Sequence, residues 1–177
     1  MVGKNGLAWA AELAGPMGKR TDPVKREGDG RSPAGAFTLG TAFGYAPEQV
    51  MGRLAIDYLQ VTKHHECVDD CQSRSYNQLV DGSRHPDRDW RSSEIMRRDD
   101  DFYRLGVVIN YNLPKPIPCQ GSCIFLHIWE GAGRGTVGCT AMAPEKMLEI
   151  VKWLDRARKP VIVQLTSERK NALRWLP

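Results

Sequence analysis

The stretch Cys123–Met142, CIFLHIWEGAGRGTVGCTAM, decides how the rest of the chain is read. It opens with an apolar run that holds a single histidine, His127. On a strand, Ile124, Leu126 and Ile128 point to one face, and Cys123, Phe125, His127 and Trp129 to the other. A glycine-rich segment breaks that strand, and Cys139 follows Gly138 at a second turn. Directly afterwards APEKMLEIVKWLDRARK carries helical spacing, with Met147, Val151 and Leu154 on one face. Pro144 suits the first turn, Glu145 the positive end of the helix dipole, and Arg156, Arg158 and Lys159 the other end. Strand, loop, turn and helix in this order aim His127 and Cys139 at each other.

Outward from this unit, Pro160 stops the helix and VIVQL supplies a last strand. LGVVINYN is a strongly apolar strand before it. EGDGRSPAGAFTLG, Glu27 to Gly40, is a turn-rich lead into a short strand at AFTLG, since its glycines and proline forbid a helix. RLAIDYLQVT alternates as a strand from Arg53 to Thr62. The block 63–104 is polar, has few apolar positions at period two and offers only short helical turns, so it reads as a capping insertion. Its Tyr76, Trp90, Ile95, Met96, Phe102 and Tyr103 argue that it is ordered. The expected fold is mainly β with α: mixed sheets, one main helix after Cys139, and a cap, all in one domain over 1–177.

Length and composition agree with that size. A chain of 177 residues can bury a core without needing a metal or disulfides, and 41% hydrophobic with 26% charged residues is ordinary for a globular domain. No apolar run approaches the roughly 18 residues of a membrane helix. The balance of 25 basic against 21 acidic residues is mild and interleaved, as in RHPDRDWRSSEIMRRDDDFYR, so no nucleic-acid footprint is read. The opening MVGKNGLAWA already resembles the inside of a domain, as expected of a chain trimmed of a signal peptide.

The five cysteines are Cys67, Cys71, Cys119, Cys123 and Cys139. In an exported protein an odd count leaves one thiol over, and Cys139, alone in its glycine-rich turn, is the odd one. Two other readings stay open: five reduced cysteines, four of them small core residues, or a zinc site built from the two pairs with His64 or His65.

A free thiol, with an ordinary pKa of about 8.5, needs a base or a positive potential to act as a nucleophile. His127 can supply the first, and the N-terminus of the following helix the second. Gly138 removes a side chain where a substrate carbonyl would approach, and the N–H groups of Gly138 and Cys139 could form an oxyanion hole. The plainer alternatives are a tightly packed cysteine and a hydrogen-bonded core histidine. Their joint occurrence in one unit favours chemistry.

The run HIWEGAGRGTVGCTAM, His127 to Met142, resembles the active-site signature of the YkuD-type L,D-transpeptidases, in which a histidine leads through a glycine-containing loop to a Ser/Thr-x-Gly-Cys turn. On that resemblance Thr136, Gly138 and Cys139 hold the family positions, with Cys139 as nucleophile and His127 as base. GDGRSPAGAFTLG is similar to an upstream family strand, matched at Ser32, Pro33, Gly35 and Phe37. The likeness spans about Gly28 to Leu165 and is nearest the proteobacterial branch with an insertion. Val137 and Ala141 stand where better-known members carry His and Arg or Asn, and the eleven residues between His127 and Cys139 are fewer than in those members.

The resemblance implies acyl transfer through a thioester on peptidoglycan stem peptides, forming 3-3 or 1-3 cross-links, in the periplasm. It implies a monomer, no cofactor and acylation by carbapenems. Hydrolysis of the same bonds is the alternative within this chemistry, and a wall-binding module with an inert Cys139 the alternative outside it. Papain-like and NlpC-like peptidases place cysteine before histidine, the reverse of the order here. A substrate with a zwitterionic D-centre calls for a cationic partner and an acceptor for its amine. The candidates are Arg134 and Thr136 before Cys139; Asp69, Asp70, Tyr76, Asn77, Trp90 and Glu94 from the insertion; and Tyr111 and Asn112.

Overall fold

The computed structural model describes residues 1–11 and 21–167. Residues 12–20 and 168–177, which the single-domain expectation includes, lie outside the described residues. The chain is mainly β with α. A seven-stranded mixed sheet runs in the order β1 (Leu7–Trp9), β2 (Ser32–Gly44), β7 (Leu105–Ile109), β8 (Phe125–Ile128), β9 (Thr140–Met142), with β3 (Tyr58–Gln60) and β10 (Val161–Gln164) also paired to β2. A second, antiparallel sheet has the order β5 (Leu79–Asp81), β4 (His65–Val68), β6 (Ser93–Ile95). A one-turn helix, α1, covers Glu48–Met51, and the main helix, α2, covers Pro144–Trp153. No helix among the described residues is long and apolar enough to cross a membrane.

Strand β2 organises the larger sheet. Its first half pairs with β1 and β10, its second with β3 and β7, and the register with β7 shifts between Leu39 and Ala42. An irregularity of this kind bends and twists a strand, which lets one chain segment serve neighbours in two directions. The expected strand at AFTLG is therefore longer on both sides, because partners are available along its whole length.

Strand β8 separates two cores as its alternation predicts. Ile124, Leu126 and Ile128 pack with Val107, Ile109, the α2 residues Met147 and Val151, and Leu154 just past the helix. Cys123 and Phe125 face the other way, into a cluster with Phe43, Met96, Tyr103 and Cys139. His127 therefore shares a face with the second cluster.

Three expectations need correction. The strand over Arg53 to Thr62 is reduced to β3, because Ile56 and Val61 are claimed by different cores and their spacing only imitates alternation. Helix α2 ends at Trp153 instead of reaching Lys159: Leu154 turns extended and buries its side chain, and Asp155 caps a separate 3-10 turn, Arg156–Arg158. The insertion holds three short strands besides a 3-10 turn at Gly82–Arg84. Strands of three or four residues are too short to display a period. Their small core is Val68, Val80 and Trp90, with the buried Glu66 accepting from Trp90, Arg88 and Ser93.

Disulfides Cys67–Cys123 and Cys71–Cys119 fasten the insertion to the strand and loop around β8, and Cys139 is free. The reduced-core and zinc readings of those four cysteines are thereby overturned, since none retains a thiolate. Among the described residues no group of three ligand-type side chains could hold a metal.

Candidate active site

Strands β8 and β9 run parallel with Leu126 beside Thr140 and His127 beside Ala141. Cys139, one residue ahead of β9, is thus delivered to the side of Phe125, on the face that His127 shares. The Phe125 N–H donates to the Cys139 sulfur at 3.3 Å, and the thiol donates to the Cys123 carbonyl at 3.4 Å.

The turn is fixed from behind. Both Ser32 Oγ and Thr136 Oγ1 donate to the Cys139 carbonyl, at 2.7 and 2.5 Å. Ser32 Oγ in turn accepts from Gly3 N–H at 2.8 Å, and Thr136 Oγ1 from Gly138 N–H at 3.2 Å. The chain around Gly3 runs parallel to Thr136, with Lys4 N–H donating to the Thr136 carbonyl at 2.8 Å. A Cβ on Gly135 would stand 2.7 Å from Lys4 Cα, so only glycine lets the two backbones approach this closely.

Gly138 N–H is already engaged, whereas the Val137 and Cys139 N–H groups of this turn have no acceptor among the described residues. A Cβ on Gly138 would meet Arg31 O and Ile124 Cδ1 at an ordinary 3.6 Å. Packing does not demand that glycine; its bare Cα leaves room in the cleft it lines.

His127 Nδ1 lies 2.7 Å from the Ile128 carbonyl. A carbonyl only accepts, so Nδ1 carries the hydrogen and Nε2 keeps the lone pair that a base requires. Phe102 stacks on the ring at 6.2 Å and Tyr103 meets it edge-on at 5.2 Å. Burial lowers the imidazole to about 4 and raises the Cys139 thiol to about 12, the latter assisted by the negative charge of Glu94. Both groups rest neutral, so the nucleophile is not a preformed ion pair.

Two clefts meet at Cys139. The larger, about 570 Å³, is bordered by Gly138, Val137, Glu94 and Arg98. The smaller, about 170 Å³, contains His127, Phe102, Tyr103 and Arg134. Glu94, Arg98, Val137 and Cys139 border both.

Of the residues read from sequence, Arg134, Thr136 and Glu94 join Cys139 and His127 on the smaller cleft, and Gly138, Asp69 and Glu94 lie on the larger. Arg134 is exposed and 3.6 Å from Glu130. Glu94 is buried, which raises its pKa, and accepts from the Tyr103 hydroxyl.

The remaining candidates border neither cleft. Tyr76 donates to Glu27 and accepts from Gly121 N–H. Asn77 clamps the carbonyls of Tyr111 and Asn112 and accepts from Cys123 N–H at 2.8 Å. Asp70 accepts from the Gln72 and Arg91 amides, and Trp90 sits in the insertion core. Tyr111 donates to the Gln120 carbonyl, and Asn112 braces Ile117 and Gly121. These six hold the insertion and the loop after β7 in place.

Sequence reasoning missed Ser32 as a support of the nucleophile, and Phe102 and Tyr103 as walls of the histidine. The first was legible only as part of an upstream motif. The aromatics had been read solely as a sign of order in the insertion.

A family model described as the L,D-transpeptidase catalytic domain, YkuD, matches residues 15–163. No curated protein and no solved structure matches the chain. The family match takes in β2, the insertion, His127 and the Gly138-Cys139 turn, and on that extent the chain belongs to the YkuD family of L,D-transpeptidase catalytic domains.

Proposed function

We propose that this protein transfers acyl groups between peptidoglycan stem peptides, with Cys139 as nucleophile and His127 as base. The observation that carries this reading is the free Cys139 at the junction of two clefts, one of them containing His127. Nε2 of His127 takes the thiol proton as sulfur attacks a peptide carbonyl on the L-side of diaminopimelate. Cys139 N–H is the donor for the developing oxyanion. The protonated imidazole then gives its proton to the departing amine of the terminal D-residue, leaving a thioester. An amine of a second stem peptide resolves this thioester into a 3-3 cross-link and restores the thiol; attack instead on the L-alanine carbonyl, with the remainder of the stem peptide leaving as its amine, gives a 1-3 link by the same two steps. Resolution by water gives hydrolysis instead. No step calls on a metal or organic cofactor.

Two disulfides in a chain of this size suit an oxidising compartment, which supports a periplasmic location.

The test is incubation of the protein and its Cys139→Ala variant with disaccharide tetrapeptide, followed by mass spectrometry. A cross-linked dimer formed only with Cys139 present is the expected result. Loss of the terminal D-residue without a dimer assigns hydrolysis, and identical inertness of both proteins favours the binding module.

A further inference from the structure

The acyl-transfer steps leave the Tyr103 hydroxyl unused, although it is buried at the centre of the site. The Tyr103 ring stands edge-on to His127 at 5.2 Å and to Phe125 at 5.5 Å, and the Phe125 amide donates to the Cys139 sulfur. Tyr103 and Cys139 belong to one buried cluster and border the same cleft. The hydroxyl donates to the Glu94 carboxylate, which borders both clefts together with Cys139.

A thiolate formed here meets opposing influences. Burial and the negative charge of Glu94 disfavour it, whereas hydrogen bonds from the Phe125 amide and the Tyr103 hydroxyl favour it. Burial, with the negative charges of Cys139 and Glu94, raises the phenol well above its ordinary value, so Tyr103 keeps its hydrogen throughout the neutral range. That single hydrogen can serve one acceptor at a time. Rotation about the C–O bond redirects it without moving the buried ring. A neutral thiol is a weak acceptor and a thiolate a strong one, so the sulfur competes for the hydrogen only as charge develops on it. Glu94 then keeps Arg98, 3.7 Å away, as its counter-charge.

We infer that Tyr103 is a further catalytic residue, whose hydroxyl turns its hydrogen from Glu94 to the Cys139 sulfur as the thiol proton leaves for His127. The S–H bond breaks, the proton passes to Nε2, and the phenol keeps its own hydrogen. Once the sulfur has become a thioester its negative charge is gone, and the hydroxyl returns to Glu94. The bond to sulfur is thus strongest in the charged species, which is the condition for it to quicken the reaction. The inference rests on the reading above of Cys139 as nucleophile.

The test uses Tyr103→Phe, which keeps the ring. Alone, it also strips Glu94 of a donor, so the deciding comparison is Tyr103→Phe made in the Glu94→Gln protein. Alkylation of Cys139 by iodoacetamide at pH 8 should then slow about three- to tenfold. A hydrogen bond to a charged group is worth roughly ten- to a hundredfold in thiolate population, and the more basic thiolate that remains is the better nucleophile. Unchanged or faster alkylation would show that the hydroxyl acts only by holding Glu94, and would overturn the inference. Acylation by the tetrapeptide should slow with alkylation, and acylation left unchanged would remove the catalytic role. Melting curves check that the variants fold. If the phenylalanine variants do not, Tyr103→3-fluorotyrosine in the Glu94→Gln protein decides: its more acidic hydroxyl is the stronger donor, so alkylation should quicken, and an unchanged or slower rate overturns the inference. Alkylation reads the hydrogen bond without substrate. A wild-type protein that is alkylated but never acylated therefore sinks the transferase reading alone, with the alkylation comparison still deciding the hydrogen bond.

Discussion

The amide of Phe125 donates to the sulfur of Cys139 from 3.3 Å, so a strand bond that parallel pairing would send to a carbonyl goes to the nucleophile. This contact favours the thiolate, but burial and the charge of Glu94 oppose it and dominate. The apoprotein should therefore alkylate slowly with iodoacetamide at pH 7, with a rate that climbs about tenfold per pH unit up to pH 9. Glu94→Gln should raise the rate at each pH. A rate already level at pH 6 would mean a preformed thiolate and contradict the neutral pair.

His127 provides the pH dependence of stability. Its folded pKa of about 4 lies below the ordinary value near 6.5. Between those values the unfolded chain binds the extra proton, so stability is full above 6.5 and falls as pH drops toward 4. Full loss is on the order of 3 kcal/mol. Glu94, with its raised pKa, acts in the opposite sense, so the difference between wild type and His127→Gln isolates the histidine. Denaturant unfolding at pH 7 and pH 4.5 checks this: the variant should lose less than the wild type.

Ser32→Ala removes a buried hydroxyl that links Gly3 N–H to the Cys139 carbonyl. Stability should fall by about 1–3 kcal/mol. Acylation of Cys139 should slow about tenfold, because Thr136 alone then holds the turn. The rate of Cys139 acylation by the tetrapeptide reads the second effect separately from the first.

Two glycines of the loop should behave differently. Gly135→Ala drives a methyl against Lys4 Cα and should cost about 1–3 kcal/mol of stability. Gly138→Ala meets only ordinary contacts and should fold with an unchanged melting temperature, yet its methyl narrows the larger cleft and should reduce turnover of the tetrapeptide. Thermal melts and turnover assays of the pair distinguish the two roles.

The disulfides should also separate. Replacing Cys71 and Cys119 by serine should cost roughly 2–5 kcal/mol while acylation of Cys139 persists. Replacing Cys67 and Cys123 should bring a comparable loss of stability and slow acylation too, since Cys123 supplies the carbonyl that accepts from the thiol. Equal acylation in both double variants would refute the coupling.

What the sequence alone determined is what depends on neighbours along the chain. The alternation over Ile124 to Trp129 set the two faces of β8, the spacing of Met147 and Val151 set the buried face of α2, and the odd cysteine singled out Cys139. The polar insertion hid its strands because segments of three or four residues, fastened by disulfides to the strand and loop around β8, are too short to show an apolar period. Tertiary structure decided the rest. Tyr76, Asn77 and Tyr111 have the right chemistry for a substrate but spend their polar atoms on carbonyls, amides and Glu27, while Ser32 and Tyr103 reach the nucleophile from distant parts of the chain. Hydrogen-bonding capacity is written in a residue type, whereas the partner that uses it is fixed only when strands meet.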